Sequence, residues 1–280
     1  MSLIRLPLTD YGKFVKQLIN KGSSFKVIET SYTKRIKVGK NTILFADKPI
    51  TPPELKLIQQ IRQSADEFEV ATMTEGKPQI DFYKFYDFQN HKKINGVKID
   101  LNQAYWQAAT NIGLITPEIQ YYFEECKSEL VSYYADEFDP EKDLQRQKKT
   151  VIKLARLRTL GALATRKTLR TYEGGELVEE STETNEPHRQ LYLYLCEQVA
   201  EVMSAIAYEF SRHVIYYYWD CIFLSSNVDT EKVNQRIKEL GYNSKIDGQG
   251  EFNIIKGQHV SYLHDLSKDI KYPIMNTDLI

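Results

Sequence analysis

Two short segments each carry one aspartate where the surrounding pattern calls for apolar side chains: residues 97–106 (VKIDLNQAYW) hold Asp100, and residues 214–224 (VIYYYWDCIFL) hold Asp220. Asp220 sits among Tyr216, Tyr217, Tyr218, Trp219, Ile222 and Phe223. A carboxylate in such company stays ionised only beside a partner charge or a metal, because an unpaired buried charge is very costly. A pair of strand-borne aspartates is the constellation that two-metal nucleotidyl transfer requires. Two Mg²⁺ ions (or Mn²⁺) roughly 3.5–4 Å apart would activate the attacking oxygen and hold a triphosphate. The plainer alternative puts Asp100 at a strand end and Asp220 in a bulge, each satisfied by backbone donors.

The elements that must position the pair follow from the pattern. Thr9 or Asp10 caps an amphipathic helix with Phe14, Val15, Leu18 and Ile19 on one face, and Gly22 stops it. FKVIET, RIKV and TILFA read as strands within residues 24–46. Thr51-Pro52-Pro53 opens a helix to about Phe68. Residues 82–88 alternate aromatic and polar side chains and read as extended, and Asn95-Gly96 as a turn into the first aspartate strand. Further helices are expected over 117–135 and 188–211, and after a cap at Asp229 or Thr230. A hairpin or loop is expected over 174–187, and a strand over 251–256 after a turn at Asp247-Gly248-Gln249-Gly250. Between residues 142 and 170 ten basic residues face only Asp143. Arg146, Lys149, Lys153 and Arg156 recur there at helical spacing and form one stripe. With a helical insertion removed, the order from residue 97 is βαββαβ, a split-βαβ topology in which Asp100 and Asp220 occupy neighbouring central strands.

Three motifs carry a resemblance. Asp100-Leu101-Asn102-Gln103-Ala104-Tyr105-Trp106 resembles the first palm motif of family B DNA polymerases, D-x-x-S-L-Y-P. Residues 216–223 (YYYWDCIF) are similar to their third, Y-x-D-T-D-S-I-F. Between them, Lys153 and Gly161 keep the spacing of the second, K-x-x-x-N-S-x-Y-G, with Leu157, Arg158 and Leu160 in place of its Asn, Ser and Tyr. Tyr218 stands at the first aspartate of D-T-D, and Trp106 at the proline. The resemblance spans residues 97–256 and implies roles. Asp100, Asp220 and the Leu101 carbonyl would ligate the metals. Tyr105 would lie under the incoming sugar, and Lys153, with Lys149 or Arg146, would clamp the triphosphate.

The resulting expectation is an α+β chain: a ferredoxin-like palm at 93–111 and 188–256, a helical fingers-like insertion at 112–187, a small β-rich N-terminal region at 1–92 and a C-terminal tail at 257–280. No D-x-E proofreading motif is evident in residues 1–90. The implied activity is Mg²⁺-dependent nucleotide addition to a DNA 3′ end, polymerase- or primase-like, in a phage or mobile-element protein of the bacterial cytoplasm. Its expected partners are DNA, nucleoside triphosphates and a replication protein that supplies processivity. The rivals are a palm-derived DNA-binding or structural protein without catalysis, and a nuclease using the same aspartates. Composition adds exclusions. The net charge is −1, so any nucleic-acid surface must be local. Cys126, Cys196 and Cys221 lack CxxC spacing, which argues for a reducing compartment and against a zinc site. No run has the roughly 18 apolar residues of a membrane span.

Overall fold

A computed structural model of the chain describes residues 3–30, 33–46, 50–68, 93–255, 261–266 and 268–274; the extended segment expected over 82–88 lies outside them. The described residues form an α+β protein with seven α-helices and two six-stranded sheets. The chain divides into two compact units, residues 1–71 with 116–192 and residues 72–115 with 193–280.

The first unit holds β1 (Leu3–Leu6), α1 (Tyr11–Asn20), β2 (Phe25–Glu29), β3 (Lys34–Val38), β4 (Asn41–Phe45), α2 (Pro52–Asp66), α4 (Pro117–Ser132), α5 (Leu144–Gly161), β6 (Arg166–Glu173), β7 (Glu176–Thr184) and the start of α6 (Glu186–Glu209). Alternation in β2 to β4 turns Phe25, Val27, Ile36, Ile43 and Phe45 inward, where Phe14, Val15 and Leu18 of α1 cover them. The sheet order is β1-β4-β3-β2-β6-β7. The hairpin β6–β7 therefore extends the N-terminal sheet, and 112–187 does not stand apart as an insertion.

Helices α2, α4 and α5 pack on one another and bury Leu57, Ile61, Phe123, Leu130, Val151 and Ala155. At their centre lies a buried ion pair, with Arg158 Nη1 3.3 Å from Glu54 Oε1. Arg158 also donates to Tyr134 Oη at 3.1 Å. The Glu54 carboxylate accepts from the Thr51 N–H at 2.7 Å and the Thr51 hydroxyl at 2.9 Å, which closes the capping box of α2.

The second unit holds β5 (Lys93–Leu101), α3 (Ala104–Asn111), the rest of α6, β8 (Val214–Tyr218), β9 (Cys221–Ser225), α7 (Thr230–Glu239), β10 (Ser244–Ile255), β11 (Ser261–Asp265) and β12 (Ile270–Ile274). Its strands lie in the order β12-β11-β10-β5-β9-β8, every neighbouring pair antiparallel. Strand β5 is central, with Val97, Ile99 and Leu101 buried on one face and Lys98 and Asp100 on the other.

Four expectations change here. Residues 214–224 are a hairpin rather than one strand, broken at Trp219-Asp220. Asn95-Gly96 is no turn but the interior of β5. A Cβ on Gly96 would sit 2.6 Å from the Leu224 carbonyl oxygen, so glycine is needed there for close backbone approach. The glycine-rich stretch 247–250 lies inside β10, at a bulge between Ile246 and Gly248. Finally, the expected tail supplies β11 and β12, and the middle strand pair of the palm-like order is β8–β9, because β6–β7 joins the other sheet.

Candidate functional site

Asp100 lies one residue from the end of β5 and pairs across the ladder with Cys221, the first residue of β9. The hairpin tip before it is the two-residue turn Trp219-Asp220. Trp219 has φ 56°, the positive φ that tight hairpins require at a central position and that large side chains rarely adopt. The next ladder bond runs from the Leu101 N–H to the Asp220 carbonyl, 2.8 Å. The fold thus brings the backbones of Asp100, Leu101 and Asp220 together at one end of the sheet, Asp100 and Leu101 on the central strand β5 and Asp220 in the turn that leads into its neighbour β9.

The electrostatics around this end come largely from residues that the sequence reading did not single out. Lys245, opposite Asp100 on β10, places its Nζ 3.1 Å from Asp100 Oδ2. Lys98, two residues before Asp100 and so on the same face, is buried and bonds Asp247 at 2.8 Å. Lys268 meets Asp247 from another side at 3.2 Å. Burial works to raise the Asp247 carboxyl pKa, but hydrogen bonds and charge from Lys98 and Lys268 outweigh it and hold it below the usual carboxylate range. The Cys221 thiol is pushed up to about 12, chiefly by burial. Lys98 opposes that rise, while Asp220, Asp100 and Asp247 all add to it, so three carboxylates lie within electrostatic reach of one sulfur. Alternation along β10 puts Asp247 on the same face as Lys245, where it meets Lys98, and the register shifts between Ile246 and Gly248. A glycine after an aspartate in an otherwise strand-like run was the available sequence signal.

Tyr105 sits in the first turn of α3, half-buried, where it lines a small crevice with Cys196, Val199, Ala200, Tyr217 and Trp219. Leu101 is buried. Arg146, Lys149 and Lys153 belong to the first unit, on the exposed side of α5; among the described residues no ion pair engages them. Arg156, read as part of the same stripe, differs. Burial lowers its guanidinium pKa and it lies 5.9 Å from the Phe123 ring centre. Arg158 is wholly internal, held by Glu54 and Tyr134.

Among the described residues no cluster of three or more His, Cys, Asp or Glu side chains could hold a metal. Two aspartates and a backbone carbonyl are nevertheless a donor set that suits Mg²⁺, which prefers hard oxygens, few carboxylates, and water or phosphate for the remainder. Lys245 offers a related fit: the face of Asp100 accepts a cation, and here an ammonium on a half-exposed side chain supplies it. Among the described residues no helix is long and apolar enough to cross a membrane.

No protein-family model matches the chain, and no curated protein matches it in sequence. Among solved structures it is similar to that of the family B DNA polymerase from the hyperthermophilic archaeon Pyrobaculum calidifontis, at a TM-score of 0.40 and 10% identity, over 81% of this chain and 33% of that one. The chain thus spans about a third of that polymerase's length.

Proposed function

We propose that the second unit is a ferredoxin-like polymerase palm and that the protein catalyses Mg²⁺-dependent nucleotide addition to a DNA 3′ end. The observation that carries this reading is the strand arrangement. The order β5-helix-β8-β9-α7-β10, with spatial order β10-β5-β9-β8, is a split βαβ sheet. Asp100 lies near the end of one central strand, β5, and Asp220 in the turn that leads into the other, β9, with the Leu101 N–H donating to the Asp220 carbonyl; this proximity supports the reading. In this reading Asp100, Asp220 and the Leu101 carbonyl hold the metal ions. When bound, these ions lower the pKa of the attacking hydroxyl and offset charge developing on the phosphates.

The chain's own residues do the rest. Tyr105 packs at the sugar and excludes a 2′-hydroxyl by volume. Arg146, Lys149 and Lys153 supply positive charge for the triphosphate without needing a proton transfer. Lys245 neutralises Asp100 in the resting protein, so the carboxylate is not left as an uncompensated charge beside a buried strand.

A second reading has its own observation. The Lys245–Asp100 pair already satisfies one aspartate, which suits a palm-derived DNA-binding protein that has lost catalysis. Substitution of Asp220 by Asn separates the two. An active enzyme loses at least about 100-fold in incorporation, since each metal contact supplies several kcal/mol, yet keeps its DNA affinity, which comes from phosphate contacts. A wild-type protein that incorporates nothing with Mg²⁺ or Mn²⁺ on primed, unprimed or single-stranded substrates refutes the enzyme reading.

A further inference from the structure

The first unit carries a charge anomaly of its own. Residues 1–46 hold nine lysines and arginines against only Asp10 and Glu29, in a chain whose net charge is −1. Strand alternation sorts these charges by face. Glu29 falls on the inner side of the sheet with Val27, where the Tyr11 hydroxyl, Lys34 and Arg170 engage it. The outer side of β2 and β3 presents Lys26, Arg35 and Lys37, all exposed. Lys26 and Lys37 stand directly opposite in the ladder, and Arg35, opposite Ile28, lies on the diagonal from Lys26. Like charges so placed destabilise a sheet. Among the described residues no ion pair engages any of the three, and the outer side of β1 to β4 bears no carboxylate. Folding alone gains nothing from this arrangement, whereas a polyanion lying across the strands would offset the repulsion.

We infer that this outer face of the first sheet binds the phosphate backbone of a DNA duplex. Charge selects an anionic polymer, and the accompanying side chains select among them. Among the described residues of β1 to β4 the face carries no aromatic ring, so unpaired bases lack the stacking partners that single-strand binders provide. A duplex keeps its bases inside and offers phosphates, which lysine and arginine contact without reading sequence. An anionic membrane fits less well, because it takes up apolar side chains beside the basic ones. The exposed large apolar residues here, Ile4 and Ile19, belong to the inner side and to α1. The choice of DNA rests on the palm reading above, while the surface stands on residues of the first unit alone.

The test uses the full chain and a fluorescently labelled DNA duplex of about 20 base pairs, read by anisotropy between about 50 and 200 mM salt. Each neutralised phosphate contributes roughly 0.9 to the slope of log affinity against log salt. Combining Lys26→Gln, Arg35→Gln and Lys37→Gln should therefore cut the slope by about 2.7, and the affinity gap to wild type should narrow roughly 40-fold across that range. Lys26→Arg with Lys37→Arg keeps the charge and should keep affinity and slope. Removing as many charges from α1 and its end, with Lys13→Gln, Lys16→Gln and Lys21→Gln, should change the slope by less than about 1, which separates a local surface from net charge. Lys26→Gln alone relieves the repulsion with Lys37, so its slope should fall by about 0.9 with no drop in melting temperature. That single variant decides the matter if the triple one is unstable. A wild-type slope in the outer-face variants, or an equal loss in the α1 variant, overturns the inference. Binding confined to an RNA duplex or to phosphatidylserine vesicles overturns it too. Incorporation that persists while these residues leave DNA binding untouched sinks the surface and keeps the palm reading. Duplex binding lost with the outer face, in a protein that incorporates nothing, supports the surface whatever becomes of the reaction.

Discussion

Replacing Arg158 by Met asks how α5 is held in the first unit. Arg158 is 5% exposed and its partner Glu54 1%. Its loss leaves a carboxylate in the core that still has the Thr51 N–H at 2.7 Å and hydroxyl at 2.9 Å, and the Tyr134 hydroxyl at 3.5 Å. Breaking a buried pair by removing one partner typically costs about 3–5 kcal/mol. The surviving Thr51 bonds put this case near 3 kcal/mol. For a unit of about 150 residues, that corresponds to a fall in melting temperature of roughly 6–12 °C. Removing both charges, as in Glu54→Gln with Arg158→Met, leaves no buried ion and recovers much of the loss. The assay is a double-mutant cycle in urea, with coupling expected above about 1 kcal/mol. Strict additivity, or an Arg158→Met variant within about 0.5 kcal/mol of wild type, refutes the assignment of Arg158 to the core.

Lys153→Ala should show the opposite profile. Stability should move by less than about 0.5 kcal/mol, as at other exposed positions, while incorporation falls roughly 30- to 1000-fold if the residue contacts triphosphate. Unchanged kinetics remove α5 from the site. Gly96→Ala should destabilise the second unit by about 2–3 kcal/mol in a urea titration, because its Cβ would lie 2.6 Å from the Leu224 carbonyl and 2.9 Å from Ile215 Cδ1; a neutral variant contradicts the close approach of β5 and β9. Asp247 gives a pH dependence. Its folded pKa lies below the unfolded value, so its contribution is present above about pH 4 and is lost as pH falls through the folded pKa. Acid unfolding of wild type and Asp247→Asn should therefore converge at low pH and diverge toward neutrality. Parallel curves would mean that Lys98 and Lys268 do not hold the ionised form.

The sequence by itself determined several of the local elements and marked Asp100 and Asp220 as candidates. Thr51 with Glu54, Asp229 before Thr230, and the alternation in 25–45 act over a few residues, so capping and periodicity expose them directly. Asp100 and Asp220 were legible because a charge in an apolar run is anomalous wherever the strand goes. Tertiary structure decided what stands around them. Lys245 and Lys98 meet Asp100 and Asp247 only once β10 is in register with β5, and register depends on partners about 150 residues apart in the chain. Arg158 looked like one more cation of a basic helix until Glu54, 104 residues away, made it internal. The split of 214–224 into β8 and β9 escaped detection because the turn lacks Gly or Asn; the strain sits on Trp219, and only the ladder from Tyr218 to Cys221 reveals it. Local rules act through bonds and near neighbours. The charge environment of the site is built from contacts that exist only after the sheet has closed its long loops.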